Sequence, residues 1–191
     1  MKRVFLIHGW DGSPEEPMHK WIRKILAAKG FEVFAPKMPV PGKPKIQPWI
    51  EKIKQAVGKL DKNDIFIGHS IGCQAILRYI ETLDKREGKV KKIILIAPWM
   101  HFDKDIIKQE EEKTIKMSGP WMEIPINFQK IKAHCKKIIT IFSTNDPYVP
   151  LSNSNLFKKD LNAKILILKN RGHFDPYHNI KKLPELLNLL K

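Results

Sequence analysis

Six short runs of Ile, Val, Leu and Phe recur along this chain, at Val4–Ile7, Phe31–Ala35, Ile65–Ile67, Ile93–Ala97, Ile138–Phe142 and Ile165–Leu168. They barely alternate with polar residues. A strand with one wet face alternates, whereas a strand covered on both faces does not, so these runs predict a buried parallel sheet. The stretches between them carry helical spacing instead. Met18, Trp21, Ile22, Ile25 and Leu26 fall on one stripe of a helix that ends near Gly30. Ala75, Ile76, Tyr79, Ile80 and Leu83 form a second stripe, and Leu183, Leu186, Leu187 and Leu190 a third, with Pro184 in its first turn. Weaker helices are expected over Pro48–Val57, Phe128–His134 and Leu151–Leu161. Strands alternating with helices predict an α/β fold, three layers α/β/α around a six-stranded parallel sheet with right-handed crossovers. With 191 residues, one domain spanning 1–191 is expected.

Two segments interrupt this rhythm. Pro36–Pro48 holds five prolines and reads as a stiff, extended connector. The stretch 100–127 is too long for an ordinary connection. It contains Asp103, Asp105, the Glu110–Glu112 run and Ser118-Gly119-Pro120-Trp121, and reads as a lid-like insertion covering a site.

Composition narrows the classes. Cys73 and Cys135 stand far apart and in no CxxC pattern, so neither a disulfide framework nor a cysteine zinc module is expected. The apolar run Val4–Ile7 is too short for a signal-peptide core, and no run reaches membrane-spanning length. A cytoplasmic protein that does not engage a membrane is expected. The formal net charge is +15, yet only five of the 35 basic residues are Arg and the Lys are spread over the whole chain. That pattern suits a solvated surface better than specific nucleic-acid readout, which leans on bidentate Arg.

The third apolar run leads into Gly68-His69-Ser70-Ile71-Gly72, with an amphipathic helix directly behind. G-x-S-x-G between strand and helix is the nucleophile elbow. The tight turn lifts the Ser70 hydroxyl above the carboxyl end of the sheet, and small residues at 68 and 72 admit the neighbouring backbone. A serine hydroxyl needs a base. His173 follows the last strand, and Asp146 follows the fifth, in the chain order Ser, Asp, His. Asp103 and Asp175 are alternative positions for the acid. Asp175 is also placed to cap the turn at Pro176. The turn His8-Gly9-Trp10 after the first strand suits an oxyanion hole, with the backbone N–H groups of Trp10 and Ile71 as donors. Trp10, Trp99, Met100, Trp121, Met122 and Phe174 are candidates for an apolar acyl pocket. His69 reads as a support for the elbow, and His19, His101 and His134 as surface or lid residues. His173 and His178, flanking Asp175, lack the context of a metal site, so no metal and no cofactor are expected.

These motifs resemble the α/β-hydrolase superfamily. More narrowly, the chain resembles the small serine hydrolases related to retinoblastoma-binding protein 9. The likeness runs from His8-Gly9-Trp10 through Ile67–Gly72, Pro120-Trp121, Gln129–Cys135 and Ser143–Pro150 to Gly172-His173-Phe174. It implies a minimal α/β-hydrolase fold without the first strands of larger hydrolases. It also implies a Ser70–Asp146–His173 triad acting on a small-molecule ester or amide, in a monomer or small homo-oligomer. The animal members have a different, glycine-rich turn where this chain has His8-Gly9-Trp10-Asp11. The competing expectation is a non-catalytic protein-interaction module on the same fold.

Overall fold

The computed structural model describes residues 2–84, 86–102 and 112–190. Its strands are β1 (Lys2–Ile7), β2 (Phe31–Phe34), β3 (Ile65–His69), β4 (Lys92–Ile96), β5 (Ile138–Ser143) and β6 (Lys164–Leu168). The helices among the described residues are α1 (Pro17–Ala28), α2 (Ile46–Val57), α3 (Ile71–Thr82), α4 (Glu112–Glu123), α5 (Phe128–His134), α6 (Asn153–Leu161) and α7 (Glu185–Leu189), with a 3₁₀ turn at Pro176–His178. All strand pairs are parallel, in the order β2-β1-β3-β4-β5-β6. This is the three-layer α/β/α fold that the apolar runs predict.

Burial explains the pattern of those runs. β3, β4 and β5 are buried along their whole length, while the edge strands β2 and β6 are half-exposed. Helices α2, α3, α5 and α6 pack against one another in sequence, and α1 packs on β2. The chain moves outward from β1 to β2, then returns past β1 to β3. Right-handed crossovers in opposite directions place α1 on the face opposite to α2, α3, α5 and α6. The loops leaving β1 and β3 therefore run to opposite faces, and in open α/β sheets such a switch point is where ligands bind.

The helices differ from expectation in two places. Helix α2 begins at Ile46 rather than Pro48, because a proline in the first turn forfeits only an N–H that has no intrahelical partner there. Helix α4 occupies the latter part of 100–127 despite Pro120 within it. Tertiary anchors hold it. The Trp121 ring is fully buried and meets Trp49 edge-on at 6.0 Å, and its Nε1–H donates to the Pro44 carbonyl. The buried Arg78 guanidinium donates to the carbonyls of Trp121 (3.0 Å) and Ile124 (2.7 Å), which closes the end of the helix. Asp103, Asp105, Glu110 and Glu111 lie outside the described residues, and so does the alternative acid position at Asp103.

The proline-rich connector is more than a spacer. Its Met38 N–H donates to His8, its Pro41 carbonyl accepts from Asp11, and its Pro39 carbonyl accepts from Trp49 Nε1. Fixed φ angles keep these groups in place at little entropic cost, so the connector braces the turn after β1.

Candidate active site

Ser70 sits between β3 and α3 with φ 52° and ψ −125°. This is the mirror image of an extended conformation, which L-residues rarely adopt and which costs about 1–3 kcal/mol. The surroundings enforce it. The Ser70 N–H is held by the Ile96 carbonyl at 2.9 Å, and the Ser70 carbonyl accepts from Cys73 N–H at 2.9 Å. Both elbow glycines are required by contact. A Cβ on Gly72 would lie 2.5 Å from the His8 carbonyl oxygen and 2.6 Å from that of Ile7, and one on Gly68 would lie 2.9 Å from the Cys73 backbone. Helix α3 therefore rests directly on the end of β1.

The His8 ring sets the geometry of the next peptide. Met38 N–H donates to His8 Nε2 at 2.9 Å, so the ring proton lies on Nδ1, and Nδ1–H donates to the Gly9 carbonyl at 2.9 Å. Gly12 N–H donates to the same carbonyl. A peptide plane carries its C=O and the next N–H in opposite directions. Holding the Gly9 oxygen thus turns the Trp10 N–H the other way. Burial pushes the His8 pKa down, which keeps the neutral tautomer that this arrangement needs.

His173 and Asp146 are brought together from the loops after β6 and β5. His173 Nδ1 lies 2.9 Å from Asp146 Oδ2 and 3.1 Å from Oδ1. The Asp146 side chain is 2% exposed and that of His173 11%. Asp146 Oδ1 also accepts from the N–H groups of Tyr148 and Val149, which fixes the carboxylate. The Tyr148 ring stands edge-on to His173 at 5.2 Å. Asn145 ties the two loops together: its Oδ1 accepts from Gly172 N–H and from the Ser143 hydroxyl, which in turn accepts from Arg171 N–H. Sequence reasoning missed Asn145, since asparagine beside Asp-Pro reads as a turn residue. Asp175 binds His178 instead, through both its backbone N–H and its ring, as the cap reading expects.

His69 lies under the site. Its Nε2–H donates to the His173 carbonyl at 2.7 Å, and the two rings are 5.1 Å apart. Full burial, with the nearby His173 and His19 as smaller influences, pushes its pKa down to about 3. It is a neutral strut between the elbow and the loop that carries His173. Two other histidines are misplaced by the sequence reading. His19 and His134 are buried rather than on the surface. His19 shares a helical face with Ile22 and Leu26, three and seven residues on, and that spacing is the signal for its burial.

The aromatic candidates divide. Trp10 and Met100 are half-buried beside the strand ends. Trp99 is buried and stacks on Phe102 at 4.7 Å, while Asn153 holds the backbone of Met100 and His101 in place. Trp121 and Phe174 lie in the core, at 1% and 0% exposure. A depression of about 350 Å³ ringed by Lys92, Lys136, Lys137 and Lys164 lies at the opposite ends of the strands, with no Ser, Cys or His among its lining residues.

The family model for serine hydrolases matches residues 4–191, nearly the whole chain. The chain belongs to the serine hydrolase family. Among its relatives is YdeN of Bacillus subtilis (strain 168), a hydrolase by name. It is 29% identical over 189 residues, which cover 99% of this chain and 94% of YdeN. The crystal structure of YdeN matches with a TM-score of 0.87 and 27% identity over all of this chain and 97% of the other. The serine hydrolase RBBP9 of Rattus norvegicus is 32% identical over 168 residues, 87% of this chain and 78% of RBBP9. A crystal structure from a study of carboxylesterases of a Nitrososphaera archaeon shares the fold, with a TM-score of 0.70 and 18% identity over 98% of this chain and 88% of that one. The chain is thus a hydrolase of the α/β type. No helix among the described residues is long and apolar enough to cross a membrane.

Proposed function

We propose that this serine hydrolase cleaves small carboxylic esters, and amides less readily, through an acyl-enzyme on Ser70. The observation that carries the reading is the two-oxygen grip of Asp146 on His173 Nδ1. That grip leaves Nε2 as the free, basic nitrogen. His173 Nε2 takes the Ser70 proton as Oγ attacks the carbonyl carbon. Asp146 keeps the proton on Nδ1 and stabilises the imidazolium. The N–H groups of Ile71 and Trp10 receive the oxyanion, each such donor contributing about 2.7–4 kcal/mol in the transition state. The tetrahedral intermediate collapses, and His173 passes its proton to the leaving alcohol or amine. A water, deprotonated by His173, then releases the acid and restores Ser70.

Trp10, Met100 and Phe102, the last stacked on the buried Trp99, supply apolar surface for the acyl part. Two buried free thiols, Cys73 and Cys135, support a reducing, cytoplasmic compartment. Four of the five arginines support the absence of nucleic-acid work: Arg3, Arg23 and Arg171 pair with carboxylates and Arg78 is buried. The test is covalent labelling with a fluorophosphonate, read by intact mass. One adduct on the wild type and none on Ser70→Ala, followed by turnover of short-chain p-nitrophenyl esters, is the expected result. No adduct on the folded protein at neutral pH overturns the reading and leaves the interaction module as the better one.

A further inference from the structure

Behind the elbow, two buried imidazoles each have one nitrogen committed and one idle. The His69 ring donates from Nε2 to a carbonyl, which can only accept, so the neutral ring has a bare lone pair on Nδ1. The His19 Nδ1 faces Glu16 Oε2 at 3.1 Å, which commits that nitrogen to the carboxylate. His19 is 0% exposed and His69 3%. Both bare atoms, His19 Nε2 and His69 Nδ1, are buried without a hydrogen-bond partner. Buried polar atoms without a partner are uncommon in folded proteins and point to a missing ligand. The two rings stand 5.8 Å apart. One ligand atom from each of Glu16, His19 and His69 lies within 4.8 Å of the others. The turn after β1 leaves these atoms room. A Cβ on Gly9 would come within 3.2 Å of His69 Nδ1, and one on Gly12 within 2.7 Å of Glu16 Oε1.

We propose that Glu16, His19 and His69 form a binding site for one divalent transition-metal ion of the zinc class. Two imidazole nitrogens and one carboxylate are the donor set that such borderline ions favour, whereas Mg²⁺ and Ca²⁺ favour oxygen alone. Bonds of about 2.0–2.2 Å would draw the three side chains together, with water completing a four-coordinate shell. The ion does not touch the reacting atoms. It fastens the residue before Ser70 to the start of α1, two elements that otherwise meet through packing. The site is independent of whether Ser70 is the nucleophile.

The test uses the full chain, stripped with a chelator and returned to Zn²⁺ at neutral pH. Calorimetry is expected to find one saturable equivalent. Thermal melting should rise by roughly 5–10 °C when free Zn²⁺ is about a hundredfold above its dissociation constant. Co²⁺ in place of Zn²⁺ should give the intense visible bands of a four-coordinate site. Glu16→Gln and His19→Gln, each checked for folding by circular dichroism, should lose the tight equivalent. The absence of saturable binding at submillimolar Zn²⁺ overturns the proposal, and so does binding that survives both substitutions, since that places the metal on His101 or His178. If His19→Gln does not fold, Glu16→Gln and the Co²⁺ spectrum of the wild type decide. A crystal grown with Zn²⁺ that shows water bridging the two imidazoles also overturns it.

Discussion

The backbone at Ser70 makes a thermodynamic prediction that separates strain from chemistry. Ser70→Ala and Ser70→Gly both abolish the hydroxyl, so both should be inactive, but they should differ in stability with an unusual sign. Alanine keeps the Cβ and therefore keeps the strain of φ 52°, ψ −125°. Glycine occupies that region freely. Relief of strain contributes about 2 kcal/mol, the middle of the usual range for such residues. Against it stand about 0.5–1 kcal/mol of extra unfolded-chain entropy and at most about 0.8 kcal/mol for the buried Cβ. Ser70→Gly should thus be more stable than Ser70→Ala by about 0.5 kcal/mol, or roughly 1–2 °C in Tm for a domain of this size. Ala75→Gly, inside the helix that follows and likewise buried, supplies the contrast. There the backbone is an ordinary helix, and glycine should cost about 1 kcal/mol or more. Urea unfolding at neutral pH, followed by tryptophan fluorescence, measures all three. If Ser70→Gly is less stable than Ser70→Ala by an amount like that at Ala75, the elbow is not strained and the reasoning fails.

Other consequences follow from named contacts. Asp146→Asn should lower kcat by about three to four orders of magnitude by favouring the wrong His173 tautomer, whereas a loss within tenfold in ester turnover would move the acid elsewhere. His8→Ala removes one of the two donors that hold the Gly9 carbonyl. It should cut kcat by at least tenfold, with KM little changed, and lower stability by about 1–3 kcal/mol because Met38 N–H loses its acceptor. Gly72→Ala drives a Cβ into two backbone carbonyls. It should destabilise by about 1–3 kcal/mol or more, as seen in urea midpoints, and an unchanged midpoint would mean that α3 does not rest on β1. Stability should also fall in mild acid. The unfolded His69 gains a proton near pH 6.5, but the folded one only near pH 3. Between these values the unfolded state binds more protons, so stability is full above about pH 6.5 and drains as pH falls toward 3. His69 alone accounts for on the order of 2 kcal/mol at pH 5. A urea midpoint in chelator that is the same at pH 5 and pH 7.5 would refute this.

The sheet was legible because burial on both faces writes itself as unbroken apolar runs, and β3, β4 and β5 are such strands. The elbow was legible because steric demands select residue types at fixed spacing, as Gly68 and Gly72 do. The pairing of His173 with Asp146 followed from chain order and strand ends. Helix α4 was not legible. Its local sequence, with Ser118-Gly119-Pro120, argues for a break, and it stands because Arg78 and Trp49 hold Trp121 from other parts of the chain. Asn145 and the Glu16–His19–His69 cluster were hidden for a similar reason. Gly172, which Asn145 holds, comes only after α6 and β6, and His69 only after β2 and α2 from His19, and nothing in the residue type says whether a polar side chain faces water or another loop.

The wholly parallel order of the strands bears on how the chain reaches this state. No two neighbouring strands are joined by a hairpin. Even the shortest pairing, Ile139 with Lys164, closes over a complete helix, and β1 meets β3 only after β2 and α2 have been passed. Such pairings form slowly, and until they form, the Ile-rich segments that become β3, β4 and β5 are open to one another and to those of other copies. The +15 charge acts in that interval. Spread evenly as lysine along the chain, it makes every partly folded copy repel every other. Refolding yield should therefore drop as added salt screens that repulsion, while the finished fold, buried around its sheet, remains indifferent to it.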